Sequence, residues 1–218
     1  MRYTYSDKKT TQLCKPDSSA MIFLDEIDGQ IYYVEGNEIG VFDGVTGEKT
    51  SIYKSTDGLN IGDISNDGEY FYFMKYKGNF DSGDLYKMKI GSDKAEFLGE
   101  SGVEYIYLTD EYIYFRYYAA PRKDKDDYDV YFGSPQIWRM KKDGTGKEVA
   151  FEFKEDFADV NFMKFMVFGN YIYGFYQYFN EDQSCGQSNN KNEADGYSAR
   201  IMRADITNGE VCFLDIID

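Results

Sequence analysis

The chain of 218 residues contains no histidine. That removes the commonest general base and the commonest transition-metal ligand together. Its three cysteines, Cys14, Cys185 and Cys212, form no CxxC pair. A zinc ribbon or thioredoxin-like motif is therefore excluded, and an odd count leaves at least one thiol unpaired. Cys14 and Cys212 sit in strand-like apolar runs, where a buried thiol acts as a small hydrophobe. No apolar run approaches the roughly 18 residues of a membrane-spanning helix, so direct membrane insertion is not expected. The opening Met1-Arg2-Tyr3-Thr4-Tyr5-Ser6 lacks the apolar segment of a signal peptide. Either the protein is cytoplasmic, or the chain as given is without its export and anchoring segments. Basic charge is scarce as well: 24 Lys and Arg stand against 39 Asp and Glu, a formal net charge of -15. Nucleic acid and anionic membrane are thereby disfavoured as partners, since phosphate binding needs clustered Lys and Arg. The acidity reads first as solubility, with cationic partners or metal ions as the alternative.

What the chain has in quantity is aromatic side chains, 18% of the residues, with 22 Tyr and 17 Phe but only three Pro. Tyr and Phe fit a pleated, half-buried surface. They also override the disorder that a mean hydropathy of -0.59 would suggest. The aromatics recur in register. A Tyr-rich strand reads Gln30-Ile31-Tyr32-Tyr33, then Tyr70-Phe71-Tyr72-Phe73, Tyr112-Ile113-Tyr114-Phe115 and Tyr171-Ile172-Tyr173. An aliphatic-basic strand follows, Asp84-Leu85-Tyr86-Lys87-Met88, Gln136-Ile137-Trp138-Arg139-Met140 and Ala199-Arg200-Ile201-Met202-Arg203, with a weaker copy lacking the basic residue at Glu38-Ile39-Gly40-Val41-Phe42. A period of roughly 40 to 45 residues carrying four short strands is the signature of a propeller blade, whereas helical repeats would show a 3.6-residue rhythm.

Written as strands a to d, the units run 20–27, 30–35, 38–43 and 48–54; then 59–65, 69–76, 84–89 and 94–99. The third and fourth run 103–109, 111–118, 136–141 and 147–153, then 161–168, 170–177, 199–205 and 209–216. Hairpin signals mark the breaks at Asp28-Gly29, Asn66-Asp67-Gly68, Asp143-Gly144 and Asn208-Gly209. Most links are too short for a crossover helix, so neighbouring strands must be antiparallel. The b strands do not alternate: Tyr70 to Met74 and Tyr112 to Phe115 are apolar on both faces. A strand covered on both sides reads this way, and a two-sheet sandwich would alternate. The expected fold is an all-β propeller, one domain over 1–218, with blades at about 20–54, 59–99, 103–153 and 161–216. Residues 1–15 match the c and d strands of a further half-blade. The set either closes with that half-blade or is a section of a longer ring, and the section fits better; open end blades would then self-associate.

The "IYY/IYF" strand and the Ile137 to Val149 hairpin (IWRM-KKDGTGKEV) resemble bacterial propeller domains of unknown function, themselves similar to the YWTD propeller of low-density-lipoprotein receptors. Ile64-Ser65-Asn66-Asp67-Gly68-Glu69-Tyr70-Phe71 is similar to the S-x-DG hairpin of TolB-type propellers. The YWTD tetrapeptide itself is absent; the positions read Tyr32-Tyr33-Val34-Glu35 and Tyr114-Phe115-Arg116-Tyr117. The resemblance implies a binding or scaffold module, usually outside the cytoplasm and at the cell surface, with no catalytic residues to carry over.

Any ligand site is expected on the b–c connections, the longest being 118–135 and 178–198, because long loops on a rigid scaffold concentrate function. The first holds Asp126, Asp127, Tyr128, Asp129 and Tyr131; the second holds or adjoins Tyr178, Glu181, Asp182 and Tyr197. Carboxylates could hold calcium, but no EF-hand spacing exists and Arg122, Lys123 and Lys125 interrupt them, so a solvated mixed-charge loop is the plainer reading. Aromatics could stack on a sugar or anchor a protein, or simply pack along the rim. Lys87, Arg139 and Arg203 occupy equivalent positions and are expected to lie along the blade surface with the charge in water. The sequence thus points to a non-enzymatic module for a protein or cell-surface polymer, with no cofactor and no metal. The alternative is a carbohydrate-active propeller that binds or hydrolyses glycans through paired carboxylates.

Overall fold

A computed structural model describes residues 2–4, 9–11, 21–27, 30–43, 46–76, 82–118, 122–123, 129–130, 134–153, 161–179 and 197–214. The chain divides into two compact units, Met1–Val103 and Glu104–Asp218. All named elements are strands, and among the described residues there is no helix. None is therefore long and apolar enough to cross a membrane.

The first unit opens with a short hairpin, β1 (Arg2–Thr4) and β2 (Lys9–Thr11). Two four-stranded sheets follow. The first contains β3 (Met21–Ile27), β4 (Gln30–Glu35), β5 (Glu38–Phe42) and β6 (Lys49–Lys54). The second contains β7 (Asn60–Asn66), β8 (Tyr70–Tyr76), β9 (Asp84–Lys89) and β10 (Ala95–Phe97). In the second unit the third sheet begins with β11 (Val103–Leu108) and β12 (Tyr112–Tyr117). A small hairpin, β13 (Arg122–Lys123) with β14 (Asp129–Val130), interrupts it before β15 (Gln136–Lys141) and β16 (Glu148–Glu152) complete it. The fourth sheet is β17 (Asn161–Phe168), β18 (Tyr171–Phe179), β19 (Tyr197–Asp205) and β20 (Val211–Leu214).

Each sheet is a simple meander in chain order with every printed pair antiparallel, as the short hairpin links require. The turns use the residues their geometry demands. Gly68, Gly144 and Gly209 take φ of 87°, 85° and 74°, a region open to Gly at no steric cost. At the first of these, Asp67 Oδ1 accepts hydrogen bonds from the backbone N–H of Glu69 and Tyr70. The first strand of three sheets carries a bulge of one extra residue: between Phe23 and Glu26, Gly62 and Ser65, and Phe162 and Phe165. Asp63 sits in the second of these at φ 41°. Bulges of this kind bend a strand and increase its twist.

The cores are the faces between sheets. In the first unit Tyr32, Val34 and Ile39 of the first sheet meet Ile61, Phe71, Phe73 and Met88 of the second, with the Tyr32 and Phe71 rings edge to face at 5.2 Å. In the second unit Tyr114, Ile137 and Phe151 of the third sheet meet Phe165, Val167, Ile172, Met202 and Ala204 of the fourth. Two-sided burial of the b strands follows: Phe71, Tyr72, Phe73 and Met74 are all buried, as are Ile113, Tyr114, Phe115 and Arg116.

Candidate functional site

Cross-strand rows explain the repeated cations. Register aligns Tyr72 with Lys87 and Lys87 with Glu96, and likewise Tyr114 with Arg139 and Arg139 with Glu148. Lys87 Nζ lies 3.4 Å from Glu96, and Arg139 Nε donates to Glu148 at 2.7 Å. Each cation also covers the tyrosine one turn of the pleat away: Lys87 over Tyr70, Arg139 over Tyr112 at 4.7 Å and Arg203 over Tyr171 at 4.9 Å. Apolar stems on tyrosine rings with charged heads beside carboxylates are structural cement. The Tyr114 hydroxyl and Glu148 hold the Arg139 guanidinium above its ordinary value.

The b–c end of the first unit is closed by hydrogen bonds. Asn37 Nδ2 donates to the Ser55 carbonyl at 3.0 Å, Ser55 N–H to the Asn37 carbonyl at 2.9 Å, and Ile61 N–H to the Gly36 carbonyl at 2.8 Å. The d–a link then contributes Asp57, whose Oδ2 takes the Lys75 ammonium at 2.6 Å while Oδ1 accepts from Ser55 Oγ and from Leu59 N–H. Lys75 is buried, with its charge 4.2 Å above the Tyr86 ring. Burial acts to raise the Asp57 pKa, but the bonds from Lys75, Ser55 and Leu59 outweigh it and hold the carboxyl at about 2. Burial also acts to lower Lys75, and Asp57 together with the Tyr53 and Tyr86 hydroxyls more than offsets it. A Ser–Asp–Lys cluster thus exists in which the acid is locked ionised and the base locked protonated. It cannot activate Ser55 as a nucleophile, because activation needs a group able to accept the hydroxyl proton.

The corresponding end of the second unit is where the long connections leave. Arg116, second from last in β12, is 1% exposed. Its Nε donates to Glu104 Oε2 at 3.0 Å, and Nη2 lies 2.9 Å from the same oxygen but outside hydrogen-bonding geometry. Its charge stands 5.7 Å from the Tyr105 ring. Burial pulls the guanidinium below its ordinary value and Glu104 opposes the shift. On the other face Tyr117 meets Trp138 edge-on at 5.8 Å, and Lys147 Nζ donates to the Tyr117 hydroxyl at 3.3 Å. The returning chain is fastened at Ser134 and Pro135: Ser134 Oγ accepts from Gln136 N–H, and the Pro135 carbonyl accepts from Phe153 N–H at 2.9 Å. Neither Arg116 nor Lys75 is singled out by the sequence reading, although a lone charge inside a run of aromatics is the available signal.

Of the residues read as ligand-binding, Asp126, Asp127, Tyr128, Tyr131, Glu181 and Asp182 lie outside the described residues. Asp129 falls in β14, in register with Lys123. Tyr178 pairs with Ser198 and Tyr197 with Phe179, so Tyr178 and Tyr197 occupy neighbouring register positions and do not oppose each other. Among the described residues no three of His, Cys, Asp and Glu converge in a way that could hold a metal ion. Cys212 is free and half-buried in β20.

No protein-family profile matches the chain, and no curated protein matches it in sequence. Solved structures do match in fold. Oligogalacturonate lyase from Vibrio parahaemolyticus superposes on 99% of the chain with a TM-score of 0.62 at 12% identity. TolB from Acinetobacter baumannii does so on 85% with a TM-score of 0.52 at 20% identity. The N-terminal domain of Nup159 covers 88% with a TM-score of 0.53 at 12% identity. The chain spans 58%, 40% and 47% of the length of these three. With four blade-like antiparallel sheets and these neighbours, the fold class is the β-propeller.

Proposed function

We infer that the chain is a non-enzymatic binding module whose b–c end in the second unit captures a protein or a cell-surface polymer. One observation carries the reading. With one exception among the described titratable groups, a clear shift holds acids ionised, bases charged or tyrosines neutral; the exception is Arg116, which burial pulls down against the opposing charge of Glu104. Asp57 stays at about 2, burial beside Glu38 pushes the Tyr33 hydroxyl up to about 12, and burial beside Asp67 raises Tyr72 further. General acid–base work near neutral pH needs a group poised there, and these are poised far from it. The b–c end offers projection instead. The β13–β14 hairpin stands in the 118–135 connection, and β18 and β19 pair over nine positions, from Tyr171 with Asp205 to Phe179 with Tyr197.

Glycan processing is the second reading, because oligogalacturonate lyases are among the structural neighbours and one is described in complex with manganese. A glycan array read beside a turnover assay on oligogalacturonate separates the two. Binding without unsaturated product is the expected outcome, and Tyr128→Ala with Tyr131→Ala lowers capture about tenfold at unchanged melting temperature. Release of unsaturated product, or loss of folding equal to the loss of capture, contradicts the module.

A further inference from the structure

Among the described residues the fourth sheet differs from the other three in showing large apolar side chains exposed in a row on one face. Register sorts its side chains into two sets. Val167, Ile172, Ala204 and Val211 form one row and Phe165, Gly174, Met202 and Phe213 another, both on the face packed against the third sheet. The opposite face carries the row Met166, Tyr173, Arg203, Cys212, flanked by Phe168, Tyr171 and Asp205. Here Met166 is 59% and Phe168 78% exposed, while Tyr173, whose equivalents Tyr32, Tyr72 and Tyr114 are buried, is only half-buried. In both units the tyrosine face of one sheet is covered by the next sheet: Tyr32 by the second, Tyr114 by the fourth. Its chemistry is thus that of a sheet-on-sheet contact.

Charge identifies the occupant. In the second and third sheets the c-strand cation has a d-strand glutamate beside it, Glu96 or Glu148. In the fourth sheet that position is Cys212, so Arg203 lies over Tyr171 with no carboxylate at ion-pair distance among the described residues. Asp205, two residues along the same strand, is the one acidic side chain in these rows; its Oδ1 accepts from Thr207 N–H and Thr207 Oγ1 at the turn, so Oδ2 is the oxygen left to meet a cation. We propose that this face docks on the same face of a second copy of the chain, about a two-fold axis close to Ala204. That axis sets each Arg203 against Asp205 of the other copy, and a two-fold interface requires such self-complementarity. With one positive and one negative group, it is also a surface that two chains of net charge -15 can share without setting like charges against each other. Strands of eight, nine, nine and four residues, at about 4.8 Å spacing and about 3.3 Å per residue, give a face of roughly 500 Å² in projection. Two such faces bury on the order of 1,000 Å², the lower limit for a specific dimer.

Sedimentation velocity over a concentration series tests this on the whole chain. The wild type is expected to pass from monomer to dimer across the series. Phe168→Asp, at an exposed strand end, stays monomeric with unchanged melting temperature. Arg203→Asp weakens the dimer about tenfold, and Arg203→Asp with Asp205→Arg restores it, because the pair re-forms with its signs exchanged. A wild type that remains monomeric throughout overturns the proposal and leaves the face to a different protein. Dimerisation unaffected by Phe168→Asp overturns it as well. Glycan or protein capture at the b–c end is a separate readout and is unaffected by either variant.

Discussion

At the scale of single residues the structure is held by charges placed where the sequence looks wholly aromatic. Lys75 interrupts Tyr70 to Tyr76 and Arg116 interrupts Tyr112 to Tyr117, and both are buried. Their partners come from other segments, Asp57 on a link between sheets and Glu104 on β11. Local pattern could not supply either pairing, which is why these residues were not legible. The tyrosine rows were legible, because cross-strand neighbours repeat at fixed spacing. Asp57 gives a pH prediction. Its folded pKa of about 2 lies below the ordinary carboxylate value, so its stabilisation is complete above pH about 4 and is lost as pH falls towards 2. Asp57→Asn is expected to flatten the acid limb of the melting curve and cost about 1 to 2 kcal/mol at neutral pH, the carboxylate being partly exposed. An acid limb identical to wild type contradicts the pairing. Gly40 gives a second. It stands opposite Tyr33 in register, and a Cβ there would lie 2.3 Å from the ring. Gly40→Ala therefore costs about 1 to 3 kcal/mol in a chemical denaturation midpoint, where an ordinary surface strand position would gain from the same change.

Strands and turns were the most legible level. Hydrophobic runs bounded by Asn-Asp-Gly, Asp-Gly and Asn-Gly place the edges of β8, β15 and β20 within a residue or two of the observed ones. The bulges in β3, β7 and β17 were not legible, since an extra residue in a strand leaves no compositional mark. Nor was the β13–β14 hairpin, where alternating Lys and Asp suggested only a solvated loop. Sheet-on-sheet packing predicts unequal costs along one strand. Ile137→Ala opens a cavity between the third and fourth sheets and costs about 2 to 5 kcal/mol. Glu148→Gln, at the half-exposed end of the Arg139 row, costs under about 1 kcal/mol. Equal losses in urea titrations of the two variants contradict the assignment of the core.

At the scale of the whole molecule, composition sets the tone. A net charge of -15 with no histidine makes self-repulsion the dominant long-range force and leaves no imidazole to titrate near neutrality. Moderate sodium chloride is expected to raise the melting temperature through screening; a fall would show that ion pairs outweigh repulsion. Aromatics on both faces of β8 and β12 foretold two-sided burial, whereas β17, β18 and β20 read as equally two-sided apolar runs, so the exposed face of the fourth sheet was not legible. Each unit rests on a core formed between its own two sheets. The contact between Tyr32 of β4 and Phe71 of β8, with ring centroids 5.2 Å apart, reports that stacking without reference to any ligand. Aromatic nuclear Overhauser measurements on selectively labelled Tyr and Phe address it directly. A cross-peak between the Tyr32 and Phe71 rings is the predicted result; its absence from a folded sample, with Tyr32 open to solvent, would contradict face-to-face packing of the sheets.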